Sequence, residues 1–202
     1  LKADEATFEK MAVAKKQGDV KRLTDAELDP AFTTLYAKEI EGSTKGLQRY
    51  YKEEQAMQKL NNAPSPTFNY ENHKGGMTKL EDLRGKYVYI DVWATWCGPC
   101  IAEIPHLKKV EEKFHGKNIE FVGISIDTKK DYEKWKKFVV TKELVGTQLF
   151  SDNDWNSDFV KAYGITGIPR FILIDPKGNI VSANADRPSS PALTTLLEDL
   201  LK

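Results

Sequence analysis

Cysteine is almost missing from this chain: its 202 residues include two, Cys97 and Cys100. Two sulfurs three residues apart cannot staple a small fold as a disulfide framework does, so chemistry has to explain them. Histidine is nearly as scarce, with His73, His106 and His115. A zinc site would take two thiolates and two imidazoles, yet His106 and His115 fall on one expected helix, about 13 Å apart along its axis. That is too far to share one ion, and no metal site is expected. Long apolar runs are absent as well. None approaches the ~20 residues of a membrane-spanning helix, and none reads as a secretory signal. The first residue is Leu1 rather than Met, which reads as a processed or trimmed chain and leaves location open. Excess charge of either sign is also lacking. Lys+Arg and Asp+Glu both number 30, so nothing favours nucleic acid or an anionic membrane as partner.

What is present suits a folded protein with a real core: 40% hydrophobic and 30% charged residues. The length accommodates one ordinary domain with an appendage. Residues 2–17 read as an amphipathic helix, with Phe8, Met11, Ala12 and Val13 on one face, ended by Gly18-Asp19. A second helix is expected from a cap at Asp29 and a first-turn Pro30, with Phe32, Leu35, Tyr36 and Ile40 inward, stopping at Gly42. A third runs from about Lys45 to Leu60, with Leu47, Tyr50, Tyr51 and Met57 inward. Asn61 to Pro66 has the composition of a linker. Residues 1–63 therefore read as a helical extension with its linker, and 64–202 as a separate domain.

That domain begins with short strands, Thr67–Tyr70 and Met77–Lys79, and a helical turn at Leu80–Leu83. Buried strands follow at Tyr87–Trp93 and Ile119–Ile126, with a helix from about Ile101 to Phe114 between them. A helix at Lys129–Val140, a strand at Gln148–Phe150 and a helix at Asp154–Tyr163 come next. The strands Phe171–Ile174 and Ile180–Ala183 flank the turn Asp175–Gly178, and Ala192–Leu200 closes the chain as an amphipathic helix. This order predicts an α/β fold, a mixed sheet flanked by helices with a helical insertion in the middle.

The chain is organised around Trp93-Ala94-Thr95-Trp96-Cys97-Gly98-Pro99-Cys100, at the junction of the first buried strand and its helix. Cys97 sits where the helix begins, so unpaired N–H groups and the helix dipole favour its thiolate. Cys100, one turn further in, is close enough to close a disulfide and more shielded. Cys97 is thus expected to attack and Cys100 to resolve. The sulfurs carry the electron pair themselves, so no cofactor is needed. Asp91, six residues before Cys97, is a carboxylate on a buried strand, which predicts a raised pKa and a role as proton acceptor for Cys100. Glu103 follows Cys100 on nearly the same helical face, where a negative charge would raise the pKa of Cys97. Trp96 reads as an apolar lip for substrates, Gly98 and Pro99 set the dipeptide between the sulfurs, and Pro105 interrupts the helix backbone.

The segment from Asp91 to Cys100, with Glu103 and Pro105, resembles the active site of thioredoxin-fold proteins and, most closely, the TlpA/ResA-like thiol–disulfide oxidoreductases of the bacterial cell envelope. The resemblance covers about residues 64–202. It implies a thioredoxin-like fold with a cis-proline at Pro169, before the strand Phe171–Ile174, where the backbone of Ile168 would pair with an incoming substrate strand. It implies the same proton-accepting role for Asp91, and a part for Glu103 in setting cysteine reactivity. The Gly-Pro dipeptide resembles the reducing thioredoxins. The expected partners are protein disulfides and an upstream membrane electron donor, and the expected place is the periplasm or the outward face of the envelope. The helical extension is a candidate for dimerisation. Two other readings compete. A peroxiredoxin shares the fold but places Pro-x-x-x-Thr/Ser-x-x-Cys before its reactive cysteine, and here Ile90 and Ala94 occupy the Pro and Thr/Ser positions. A non-enzymatic interaction module would make the redox pair incidental.

Overall fold

The computed structural model describes residues 5–26 and 30–202. The chain divides into two compact units, Leu1–Ala56 and Met57–Lys202. The first holds helix α1 (Glu5–Asp25) and most of helix α2 (Pro30–Leu60). Where the sequence predicts three helices the structure has two. Helix α1 continues through Gly18-Asp19, where Lys15 and Arg22 both pair with the Asp19 carboxylate along the helix. Helix α2 runs through Gly42 without a break; Lys45 pairs with Glu41 across it, and the Ser43 and Thr44 hydroxyls donate to the carbonyls of Glu39 and Ile40. The ion pairs offset part of the roughly 1 kcal/mol that a glycine costs inside a helix. Phe8 and Tyr51 stack face to face in the small core of this unit, beside Ala12. Met11, Val13, Leu35, Tyr36, Leu47 and Tyr50, expected to point inward, are exposed instead. The expected cap at Asp29 and the start of the first helix at residues 2–4 lie outside the described residues, and so does the side chain of Phe32.

The second unit is built on a seven-stranded sheet in the order β2-β1-β5-β4-β3-β6-β7. The strands are β1 (Asn69–Asn72), β2 (Met77–Lys79), β3 (Tyr87–Trp93), β4 (Ile119–Ser125), β5 (Thr147–Phe150), β6 (Arg170–Ile174) and β7 (Ile180–Ser182). Strands β3, β4 and β5 are parallel; the remaining pairings are antiparallel. The central pair β3 and β4 is covered on both faces, which explains why its sequence is an almost unbroken apolar run. Alternate side chains serve two cores. Val88, Ile90 and Val92 join Trp135, Phe159 and Val160 on one face, while Tyr89, Phe171 and Leu173 join Val110, Leu193 and Leu197 on the other. Helices α4 (Tyr132–Thr141) and α5 (Asp158–Ala162) thus cover one face, and α3 (Gly98–Lys113) and α6 (Pro191–Leu200) the other. The helices expected at 129–140 and 154–163 each begin with a 3-10 turn, and α5 is only five residues long.

Asn61 to Ser65, a linker by composition, is instead bonded along β7. The Asn62 N–H donates to the Ile180 carbonyl at 2.7 Å, the Ile180 N–H to Ala63 at 2.9 Å, and the Ser65 N–H to Gly178 at 2.9 Å. The segment covers an otherwise open sheet edge.

Trp135, on the inserted helix α4, is fully buried against Phe150 and Tyr132, and its indole N–H has no partner. Trp135→Ala is expected to destabilise the fold by about 3–5 kcal/mol. Trp135→Phe should cost under about 2 kcal/mol, because it also removes the unpaired donor. Urea unfolding of the two variants checks the difference.

Candidate active site

Because β3 and β6 are antiparallel neighbours, with Val92 opposite Arg170, the end of one strand lies beside the start of the other. Cys97 and Pro169, 72 positions apart in sequence, are thereby brought to the same end of the sheet. The parallel partner β4 ends there too, with Ser125 opposite Trp93. The carboxyl ends of adjacent parallel strands are where α/β sheets generally place their sites.

Cys97 is the N-cap of α3. Its backbone is extended, and its sulfur accepts the Cys100 N–H at 3.2 Å, with Pro99 in the first turn. A sulfur in this position meets the orphan N–H groups and the positive end of the helix. Cys97 and Cys100 form a disulfide with Cα atoms 5.2 Å apart. Both are buried, Cys97 at 4% and Cys100 at 2% exposure, so shielding differs little between them in this oxidised state. Trp96 beside them is 52% exposed, its ring 6.4 Å from that of Trp155. Gly98 and Pro99 are exposed on the same rim. The Ile168–Pro169 bond is cis. Among the described residues the backbone of Ile168 makes no hydrogen bond, which leaves its N–H and C=O for another chain. Pro105 lies within α3, and the helix continues past it.

Asp91 is buried in β3 at 6% exposure, and its Oδ1 has no partner. Burial, then the nearby negative charges of Glu103 and Glu111, push its pKa up to about 8. Glu103 is also buried, which sets aside a water-facing helix position. The Ser189 N–H and hydroxyl each donate to its carboxylate at 2.9 Å, and Arg187 lies 3.5 Å away. Its charge is therefore tied to the loop before α6, and it acts on Asp91 through space.

Sequence reasoning missed several residues here. Asp127 is buried just beyond β4. It accepts the Thr95 N–H at 2.9 Å, the Thr95 hydroxyl at 2.8 Å and the Ser125 hydroxyl at 2.7 Å. These bonds fix the loop that leads to Cys97. The signal available was a carboxylate directly after a largely apolar strand, Ile119–Ile126. Arg187 and Ser189, which hold Glu103, had no signal of their own. Glu111 occupies an inward position of α3 in step with Ile104 and Leu107, where helical spacing asks for an apolar residue. Burial pushes it to about 7, a rise opposed by Lys108 and supported by Glu120.

Two sulfurs able to open and close between disulfide and dithiol, at the head of a helix on this sheet, define a thiol–disulfide oxidoreductase of thioredoxin fold. Comparison with known proteins agrees. A profile of the AhpC/TSA family matches residues 61–183. The thiol-disulfide oxidoreductase ResA of Bacillus cereus is 29% identical over 134 residues, 66% of this chain and 73% of that protein. A Bacteroides vulgatus solution structure described as a thiol-disulfide oxidoreductase is 47% identical, covers 69% of this chain and 91% of its own, and superposes with a TM-score of 0.61. The thioredoxin domain of a thiol-disulfide oxidoreductase from the same organism is 30% identical, with a TM-score of 0.63 and coverage of 70% and 98%. The chain belongs to the AhpC/TSA family and, within it, stands with the ResA-like thiol–disulfide oxidoreductases.

The raised Asp91 pKa carries a stability consequence. Between its ordinary value near 3.8 and about 8, the native state holds a proton that the unfolded chain has lost. Its contribution is therefore full below pH 4 and is lost as pH rises towards 8. In the oxidised protein, where the cysteines do not titrate, Asp91→Asn should abolish this part of the loss. Denaturant titrations above pH 8 should then show the variant more stable than wild type, by up to about 5 kcal/mol.

Proposed function

We propose that the chain reduces disulfide bonds in proteins of the cell envelope, with Cys97 as nucleophile and Cys100 as resolving thiol. The observation that carries this reading is the placement of Cys97. It caps α3 beside the exposed Trp96, at the end of the sheet where the free backbone of Ile168 enters β6. The reduced Cys97 thiolate attacks one sulfur of a substrate disulfide, forming a mixed disulfide and releasing the other substrate sulfur as a thiolate. Cys100 gives its proton to Asp91 and attacks Cys97, and the second substrate sulfur leaves with its electron pair. The substrate gains two electrons and the enzyme disulfide closes. Trp96, Gly98 and Pro99 form the rim against which a substrate strand lies, paired to the backbone of Ile168 beside Pro169. Glu103 keeps negative charge close to Asp91 and so strengthens it as the base that takes the Cys100 proton.

Returning the enzyme to its dithiol requires an upstream donor dithiol, which a membrane partner would supply. The envelope location and the reducing direction rest on the likeness to ResA-like proteins and on the Gly-Pro dipeptide. No described helix is long and apolar enough to cross a membrane. The exposed Met11, Leu35, Tyr36, Leu47 and Tyr50 of the helical extension support a role in self-association. The peroxide-reductase alternative would need a Pro and a Thr or Ser where Ile90 and Ala94 lie wholly buried.

Cys100→Ser should accumulate mixed disulfides with protein substrates, visible on non-reducing gels and released by dithiothreitol. Cys97→Ser should form none, and its rate of protein-disulfide reduction should fall at least about 100-fold. A Cys97→Ser variant that keeps the wild-type rate would exclude the mechanism.

A further inference from the structure

Beneath the disulfide, between α3 and the sheet, lies a small, narrow-mouthed cavity of about 20 Å³ whose walls include Asp91, Cys100, Glu111 and Gln148. That volume admits one water molecule. Asp91 Oδ1, Glu111 Oε1 and Gln148 Oε1 are all buried without a protein partner, and a water is the group that satisfies such oxygens. Two glycines let the polar groups at this place approach the backbone closely, Gly123 on the cavity wall and Gly146 on the groove side. A Cβ at Gly123 would fall 2.3 Å from Gln148 Oε1, and one at Gly146 would fall 2.5 Å from the Phe121 carbonyl and 3.0 Å from Glu111 Oε1. On its other side Glu111 borders an open surface groove with Lys108, Phe121, Val145 and Gly146. It is the one carboxylate, among the described residues, that lines both the small cavity and the groove.

We propose that Glu111 is a proton-relay residue, carrying protons between solvent in the groove and the buried Asp91–Cys100 site through a water in the cavity. The proposal rests on the reading of Cys97 and Cys100 as a working redox pair, and extends it to the path of the proton. When a donor dithiol opens the disulfide, its thiolate bonds to Cys97 and the Cys97–Cys100 bond breaks. Cys100 leaves with the electron pair and takes the proton of the Asp91 carboxyl. The donor's second thiolate then displaces Cys97, so the donor ends as a disulfide and the enzyme as a dithiol, a transfer of two electrons. Asp91, left as a carboxylate in a buried site, recovers its proton from Glu111, and Glu111 recovers its own from the groove; before Cys100 attacks a mixed disulfide the relay runs the other way, and Asp91 passes a proton out through Glu111 so that it can take the one on Cys100.

The charges around Glu111 suit this task. Lys108 of its own helix opposes its protonation, while Glu120 of β4 favours it. Asp91 faces it from β3. Glu143, from the loop after α4, pairs with Lys108 at 3.8 Å, and Glu120 is itself within 3.5 Å of Lys86. Burial brings both relay carboxyls near neutrality, Glu111 to about 7 and Asp91 to about 8, where a proton moves easily in either direction.

The test is stopped-flow reduction of the oxidised protein by dithiothreitol, from pH 5.5 to 9, for wild type, Cys97→Ser, Glu111→Gln and Glu111→Asp. Glu111→Gln keeps the side-chain shape but cannot release and regain a proton. It should open the disulfide about tenfold more slowly, lose the inflection near pH 7, and recover when a small carboxylic acid such as formic acid is added. Glu111→Asp should keep most of the wild-type profile, and the equilibrium with dithiothreitol should be the same in all three cysteine-intact proteins. A Glu111→Gln profile that superimposes on wild type, or a slowing that formic acid does not relieve, overturns the relay while leaving the redox pair standing. Absence of Cys97-dependent reduction in wild type overturns both.

Discussion

Everything at this site depends on how β3 ends. The strand is buried on both faces and bonded on both edges, so its direction and register are fixed before the chain reaches Thr95. Asp127 then holds Thr95 by its N–H and its hydroxyl, and the next free step of the chain is Cys97 at the head of α3. A cysteine one position earlier or later would miss the N-cap and the helix field that goes with it. The position of the sulfur is thus set by a strand end, a buried carboxylate and a helix start acting together.

The same geometry places ionisable groups where an apolar core would be more stable. Asp91 and Glu111 lie between β3 and α3 with unpartnered oxygens, and burial raises the pKa of both. Buried polar atoms without partners work against folding, and they are commonly retained where a site needs groups that change protonation near neutral pH. Glu103 shows the contrasting solution. It is as buried as Asp91, but Ser189 and Arg187 satisfy its carboxylate.

Much of this was legible in the sequence, for physical reasons that differ by element. The central strands and α3 were readable because burial on both faces leaves a continuous apolar run, and because Cys97-Gly98-Pro99-Cys100 marks the junction. The cis bond before Pro169 was legible through resemblance, and the burial of Asp91 through its place in the strand. The extension differs at Gly18 and Gly42, where the helices run on, with ion pairs along them, past residues that usually end a helix. Asn61–Ser65 was misread because composition cannot show that its backbone would find an unpaired edge at β7. Asp127, Arg187 and Ser189 act across the fold, and neither spacing nor periodicity reveals partners contributed by different elements. Glu111 did leave a trace, as a charge in step with the apolar residues of α3.

The most direct test of the account is the reduction potential of the Cys97–Cys100 pair, measured by equilibration against glutathione and dithiothreitol buffers with thiol alkylation as the readout. A reductant with a Gly-Pro dipeptide is expected near thioredoxin's roughly −270 mV. A value near the roughly −120 mV of DsbA would make the protein an oxidant and contradict the direction argued for it.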